Sequence, residues 1–366
     1  MTSAKYRLTW KTILLTVAGL AAFFIYIIIF NVDLLQIAAT AQRANLQLYL
    51  VAAASAVFEV LLFSVAWNIL LRFLSVKLSV VKSFLYVWFG IYIDILIPAE
   101  SISGEIAKVY LISREHAGST AKATASLVAQ RLISMGINVG TLFIGAALLL
   151  MGHQLEGLLL NLTLFLVAIT FAFFVLILLL CVKENWTLRI VDAVIHFIDR
   201  ISRGRWKLVS IREEVIESTK AFHAAMRDYA RAPKTLFAAS ALYIIAWIMN
   251  LSIFYLTFLS IGYISISWSA ILVVCSIFMA VKSIPVGVPF EVGLPEITLT
   301  TLFILLGIPP DISATATILT RILTHWLRLF IGFVVQQYVG VTVSAAVTPT
   351  SKSSETSIDE EETKIY

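Results

Sequence analysis

The chain reads as an all-α, polytopic membrane protein, and three observations predict this. Of its 366 residues 60% are hydrophobic and only 13% charged, and mean hydropathy is +0.94; a soluble domain needs far more polar surface. Three uncharged runs, Thr12–Phe30, Leu158–Val182 and Thr235–Ile261, match the roughly 20 helical residues that a bilayer core takes. The short alternating segments of a transmembrane barrel are missing.

The elements follow in order. Thr12–Phe30 comes after Lys5, Arg7 and Lys11, as in a signal peptide, but no small-x-small cleavage site follows. It reads as a retained anchor. Leu46–Leu71 is a span with one charge, Glu59. Ser83–Ile97 and Glu105–His116 are apolar but short, and at about 1.5 Å per residue neither crosses a core of roughly 30 Å. Pro98 and Gly104 break the chain between them. We read a re-entrant hairpin, because broken backbone at membrane depth is tolerated only inside protein or beside a wet cavity. The alternative is two ordinary spans joined by a tight loop. Thr120–Leu150, with Arg131, and Leu158–Val182 are the next spans.

Residues 183–234 carry two amphipathic stripes. One runs through Ile190, Val191, Val194, Phe197, Ile198 and Ile201; the other runs from Leu208 through Phe222 and Met226 to Tyr229. They predict two helices around Arg203-Gly204-Arg205, lying on the inner membrane face among anionic headgroups. Thr235–Ile261 crosses again. Ser269–Val281 and Glu296–Gly307 form a second hairpin around Pro285, Pro289, Gly293 and Pro295. A last span, Ile312–Gly340, carries Arg321, His325 and Arg328. The prediction is thus about six transmembrane helices and two re-entrant helical hairpins. Residues 345–366 are acidic and Ser/Thr-rich, and read as a disordered tail. Cys181 and Cys275 lie in apolar runs and imply no disulfide framework.

Charge sets the topology. Residues 183–234 hold eleven Lys/Arg against seven Asp/Glu, whereas 151–157 and 262–267 hold no Lys or Arg. The positive-inside rule then places both termini, loop 72–82 and 183–234 in the cytoplasm of a multi-pass cell-membrane protein. Span–hairpin–span occurs twice in opposite orientation, at 46–150 and 235–340, within one integral membrane domain of 1–344. The register agrees. "PAESISGE" (98–105) and "PFEVGLPE" (289–296) share Pro-x-Glu-x4-Glu, and each is followed by Ala-Thr-Ala-Ser/Thr and an arginine. Glu59 and Asn250 each lie 39 residues before the corresponding proline. Inverted-topology repeats with broken helices build midplane sites in transporters.

Ionisable residues inside apolar spans are costly and read as functional. The set here is Glu59, Glu100, Glu105, Arg131, Lys282, Glu291, Glu296, Arg321 and Arg328. Arg321, His325 and Arg328 fall on one face of a regular helix, as do Arg131 and Asn138. The second arm of each hairpin aims its N-terminus at the bilayer middle, offering a partial positive charge and free N–H donors. With Arg131 and Arg321 these predict a phosphate site, with a Glu–Arg pair in each repeat. Glu105 and Glu296 also fit plain first-turn acids, and Glu59 a buried acid bonded to a neighbouring helix. No metal spacing, nucleotide loop, cofactor motif or catalytic triad pattern is seen, so neither an enzyme nor a nucleic-acid binder is expected.

At these residues the chain resembles a known family. "PAESISGEIAKVYLI" with "ASLVAQRLI", and "PFEVGLPEITLTTLFILLGI" with "ATILTRIL", are similar to the two signature regions of the lysylphosphatidylglycerol synthase transmembrane region, the flippase-like domain. The resemblance covers roughly residues 12–340. Gly104, Glu105, Arg131, Gly293, Glu296, Gly307 and Arg321 match; Asp94 stands near a usual Asn, Gln130 replaces Glu, and Phe290-Glu291 replaces Gly-Gly. The resemblance implies translocation of a lipid with an anionic headgroup: a phospholipid, an aminoacyl-phospholipid or a polyprenyl-phosphate-linked sugar. Well-known relatives carry an appended soluble synthase, and the expectation here is its absence. A homo-oligomer or a separately encoded lipid-modifying enzyme is compatible with this. Competing readings are an intramembrane transferase or hydrolase using paired Glu residues, an ion-coupled carrier of a small anion, and a non-transporting membrane subunit.

Overall fold

The computed structural model describes Ile28 and residues 34–97, 102–151, 157–202, 208–282 and 292–347, and these contain helices and no strand. In chain order the helices are α1 (Leu34–Arg43), α2 (Leu46–Phe73), α3 (Val80–Leu96), α4 (Ile102–Glu115), α5 (Thr120–Met151), α6 (Gly157–Val182) and α7 (Glu184–Ser202). Then come α8 (Leu208–Ala230), α9 (Pro233–Ser260), α10 (Trp268–Lys282), α11 (Leu294–Leu305), α12 (Pro310–Arg321) and α13 (Leu327–Val347). A single π-helical turn, Ile322–Trp326, joins the last two.

Among the described residues, four helical segments are long and apolar enough to cross a membrane: Leu46–Phe73, Thr120–Leu148, Pro233–Ser260 and Pro310–Val339. A fifth arises if α6 and α7, bent by 96° at their junction, count as one broken span. The chain is therefore a multi-pass membrane protein. Apart from Ile28, the expected first span, Thr12–Phe30, lies outside the described residues, as does the expected tail of 345–366 except for 345–347, which continue α13 as helix. Trp268–Met279 and Leu294–Leu305 are apolar but too short to cross, as the second hairpin requires. Exposed apolar side chains such as Phe165, Phe237 and Phe330 lie along the long helices. Such surface is unfavourable in water and suited to acyl chains.

Local sequence explains the helix ends. Asn45 caps α2 by accepting from the Gln47 and Leu48 N–H groups at 3.0 and 3.2 Å, and Ser79 caps α3 through Lys82 N–H. Prolines open α9 and α12, where a missing N–H costs nothing. Gly293 opens α11 with φ +96°, a conformation that side chains rarely adopt.

The two halves share a packing plan. α2 and α9 run antiparallel along their lengths: Asn45 N–H donates to Ser260 O at one end, the rings of Phe63 and Tyr243 meet at 5.1 Å, and Glu59 meets Asn250 between them. α3 packs on α4 as α10 packs on α11, and α4 on α5 as α11 on α12. The last helix of each half crosses to the other: α13 lies on α3, and α5 lies on α10. Glycines make both crossings close. A Cβ on Gly145 would sit 2.8 Å from Val273 Cγ2, and one on Gly332 would sit 2.7 Å from Tyr92 Cβ.

The stripe expected to keep α8 on the membrane face is partly protein-facing. Ala225 and Tyr229 are buried with Leu70, Ala129 and Tyr243, and Phe222 and Met226 pack against that cluster. Tyr229 OH donates to Leu70 O at 2.8 Å, and the His223 ring bonds Cys181 O at 3.0 Å. The stripe matches an apolar protein surface as well as it would match lipid.

The tightest glycine is Gly104, where a Cβ would fall 2.3 Å from both Gly90 O and Asp94 Oδ2. Gly104→Ala is expected to lower the thermal stability of the detergent-solubilised protein, by about 1–3 kcal/mol. Gly140→Ala, with open space around it, is expected to be neutral or to stabilise α5 by up to about 1 kcal/mol. Equal melting temperatures for the two variants would contradict the α3–α4 crossing.

Candidate functional site

The first-half cluster forms where α4 meets α3 and α5. Gly104 lets α4 approach α3, and this brings Glu105 opposite Arg131 of α5. Arg131 Nη1 donates to Glu105 Oε1 at 3.1 Å, with the two side chains 31% and 28% exposed. One turn further along α4, Lys108 is buried, and its Nζ lies 5.3 Å from the centre of the Trp67 ring. Its charged neighbours are Glu105, Asp94 and Arg131. Trp67 is itself fully buried and fixed by donating Nε1–H to Ser126 Oγ at 3.1 Å.

The second half repeats the pair but closes it. Arg321 Nε donates to Glu296 Oε1 at 2.7 Å, and both side chains are only 5% exposed. The other carboxylate oxygen of Glu296 accepts from Gly293 N–H at 2.7 Å. A third pair ties the halves together: Glu59 of α2 pairs with Arg328 of α13 and accepts from Asn250 Nδ2 at 3.3 Å. Glu59 and Asn250, which the sequence places at matching distances from Pro98 and Pro289, thus touch each other.

Six of the nine residues singled out in the sequence therefore meet as three Glu–Arg pairs. Glu100 and Glu291 lie outside the described residues. Lys282 ends α10, and its side chain is likewise outside them.

Two expectations need correction. The half-helix ends were expected to offer free N–H donors to an anion. Instead Asp94 Oδ1 accepts from Gly104 N–H at 2.6 Å and from Ser103 Oγ at 2.7 Å, and Glu296 takes Gly293 N–H. These two backbone donors are occupied by carboxylates, which the helix dipole favours. Arg321, His325 and Arg328 were expected to form one row. The π turn inserts an extra residue into that row, and the two arginines reach different carboxylates on different helices. Asn138 likewise leaves Arg131 and turns to Ser276 O on α10, at 3.5 Å.

Sequence reasoning missed Lys108 and Asp94 as members of the cluster. Lys108 had the spacing, three residues after Glu105, but a lysine near a hairpin base reads first as a headgroup contact. Among the described residues no His, Cys, Asp and Glu group is placed to hold a metal ion. A cavity of about 180 Å³ lies away from the pairs, at the turns leading into α3 and α5, and is lined by Ser75, His116, Ser119 and Lys122 among others.

The family model of the lysylphosphatidylglycerol synthase TM region matches residues 13–332. A UPF0104 membrane protein of Pyrococcus horikoshii is 24% identical over 297 residues, covering 79% of this chain and 86% of the relative. One from Methanocaldococcus jannaschii is 22% identical over 334 residues, covering 90% and 95%. One from Methanothermobacter thermautotrophicus is 24% identical over 291 residues, covering 77% and 82%. No solved structure matches.

The unequal burial of the two pairs has a measurable consequence. Glu296→Gln strands a buried guanidinium and is expected to cost roughly 3–5 kcal/mol of stability in detergent. Glu105→Gln leaves Arg131 partly solvated and is expected to cost about 1 kcal/mol. Thermal unfolding of the two variants checks the order, and a larger loss in Glu105→Gln would contradict it.

Proposed function

The chain belongs to the lysylphosphatidylglycerol synthase TM region family, and on that premise we propose that it moves a phosphate-bearing lipid between membrane leaflets. The observation that carries this reading is the contrast between the two related ion pairs, one part-open and one sealed. A guanidinium among apolar helices keeps its proton and needs a counter-charge when no substrate is present. Glu105 supplies it to Arg131. A phosphate can replace that carboxylate, because Arg binds both in the same forked geometry. Headgroup binding thus exchanges one anion for another, while the lipid tails stay among the exposed apolar side chains outside.

The antiparallel α2–α9 pair and the matched helix contacts support two repeats of opposite orientation. In this reading the repeats open to opposite leaflets of the cell membrane, with both termini cytoplasmic. A carrier fits better than an intramembrane hydrolase, because each of Glu59, Glu105 and Glu296 is committed to an arginine, and Asp94, the carboxylate near Glu105, is tied to Ser103 and Gly104. The lipid is a phospholipid, an aminoacyl-phospholipid or a polyprenyl-phosphate-linked sugar, and a lipid-modifying enzyme is the natural partner.

Purified protein in vesicles containing a fluorescent phospholipid provides the test. The wild-type chain should exchange the probe between leaflets, and Arg131→Gln should slow exchange about tenfold or more. Lys82→Met, which removes a surface pair with Glu115, should not. Wild-type rates in folded Arg131→Gln would overturn the mechanism. Topology is checked separately, in a chain whose Cys181 and Cys275 are replaced by alanine. Cysteines at Lys77 and Ser265 should label from opposite sides, and same-side labelling would contradict the arrangement.

A further inference from the structure

The two related sites differ in more than burial. The spacing that sets Glu105 against Glu296 sets Lys108 against Leu299 and Trp67 against Phe258. In the second half both positions are apolar, fully buried and part of one hydrophobic cluster. In the first half they are a buried ammonium and the aromatic ring below it.

Lys108 is held in an unusual way. Its stem lies in a groove over Gly90, where a Cβ would come within 3.3 Å of Lys108 Cγ and Cδ. Its residue surface is 7% exposed. Glu105 gives its ion pair to Arg131, and the Asp94 Oδ1 atom is occupied by Ser103 and Gly104. Among the described residues, no carboxylate oxygen comes within ion-pair distance of the Lys108 ammonium, which faces the Trp67 ring. The ammonium thus lies over an aromatic face, near Glu105 and Asp94 but not ion-paired to either, so its N–H donors are not committed to a carboxylate. Arg131, part-exposed, stands beside it.

We propose that the protein has one anion-binding site rather than two, and that Lys108 and Arg131 together are its phosphate ligands. The Glu296–Arg321 pair of the other half is then a sealed strut. The site is entered where Glu105 and Arg131 are exposed. A phosphate oxygen takes the Lys108 donors, and the remaining oxygens face the Arg131 fork. This rests on the lipid-translocation reading and sharpens it, since the headgroup is then gripped in the first half alone.

The test is binding, kept apart from transport. The full chain in detergent is titrated calorimetrically with dioctanoyl-phosphatidylglycerol, with dioctanoylglycerol, which lacks the phosphate, and with sn-glycerol 3-phosphate, which lacks the tails. Lys108→Met should weaken phosphatidylglycerol binding about tenfold or more, leave dioctanoylglycerol unchanged, and keep or raise the melting temperature, because an unpaired buried charge is removed. Lys108→Arg should recover most of the affinity, and Lys82→Met should match wild type. A loss seen with glycerol phosphate but not with the lipid would support the same site and assign it to a free anion. Unchanged affinity for both phosphatidylglycerol and glycerol phosphate in Lys108→Met, or no phosphate-dependent binding by wild type, would overturn the proposal. So would a fall in melting temperature as large as that of Glu296→Gln, which would make Lys108 a structural counter-charge. Vesicle transport separates the two claims. Binding through Lys108 without lipid exchange defeats the translocation reading alone, whereas exchange that survives Lys108→Met defeats the site alone.

Discussion

An arginine surrounded by apolar helices cannot shed its proton, so it must be met by a carboxylate wherever water does not reach it. That requirement organises the helix junctions of this protein. Glu296 joins α11 to the end of α12, Glu105 joins α4 to α5, and Glu59 joins α2 to α13 across the two halves. Each carboxylate is fixed by a second device. Glu296 is locked by the Gly293 N–H, Glu59 by Asn250, and Glu105 by the glycine contact that presses α4 onto α3.

The same demand explains why the pairs need not be equivalent. A pair sealed at 5% exposure holds two helices together and resists exchange. A pair open to about a third of its surface gains less from its own attraction, because solvent screens it. On the proposed mechanism, this is the pair that gives up its carboxylate to a competing anion. Asp94 and Lys108 add a further negative and a further positive group beside the open pair, and Leu299 stands where Lys108 would be in the second half. The shared backbone plan thus carries two different electrostatic loads.

Much of this was legible in the sequence, for physical reasons. Charges stand out against apolar spans, so the members of the pairs were visible. Helix lengths below the bilayer thickness marked the hairpin arms, and α10 and α11 have the expected lengths. The pairing within each half followed from local register: Glu105 with Arg131, Glu296 with Arg321. Three things were hidden. The Glu59–Arg328 pair joins residues 269 apart in sequence, and the π turn that redirects Arg328 has no signature in residue type. Asp94 looked like a departure from a family Asn, yet its carboxylate is the group that caps α4. The stripe from Phe222 to Tyr229 is equally suited to lipid and to a protein neighbour, and only the fold decides between them.

The central claim is that Glu105 holds a place which a lipid phosphate later takes. Competition gives this a sign. If the carboxylate and the phosphate contend for the same guanidinium, removing the carboxylate's charge must favour the phosphate. The direct measurement is the affinity of Glu105→Gln for dioctanoyl-phosphatidylglycerol, compared with wild type in the same detergent. The account predicts tighter binding in the variant. Weaker or unchanged binding would mean that Glu105 merely positions Arg131, and would contradict the exchange.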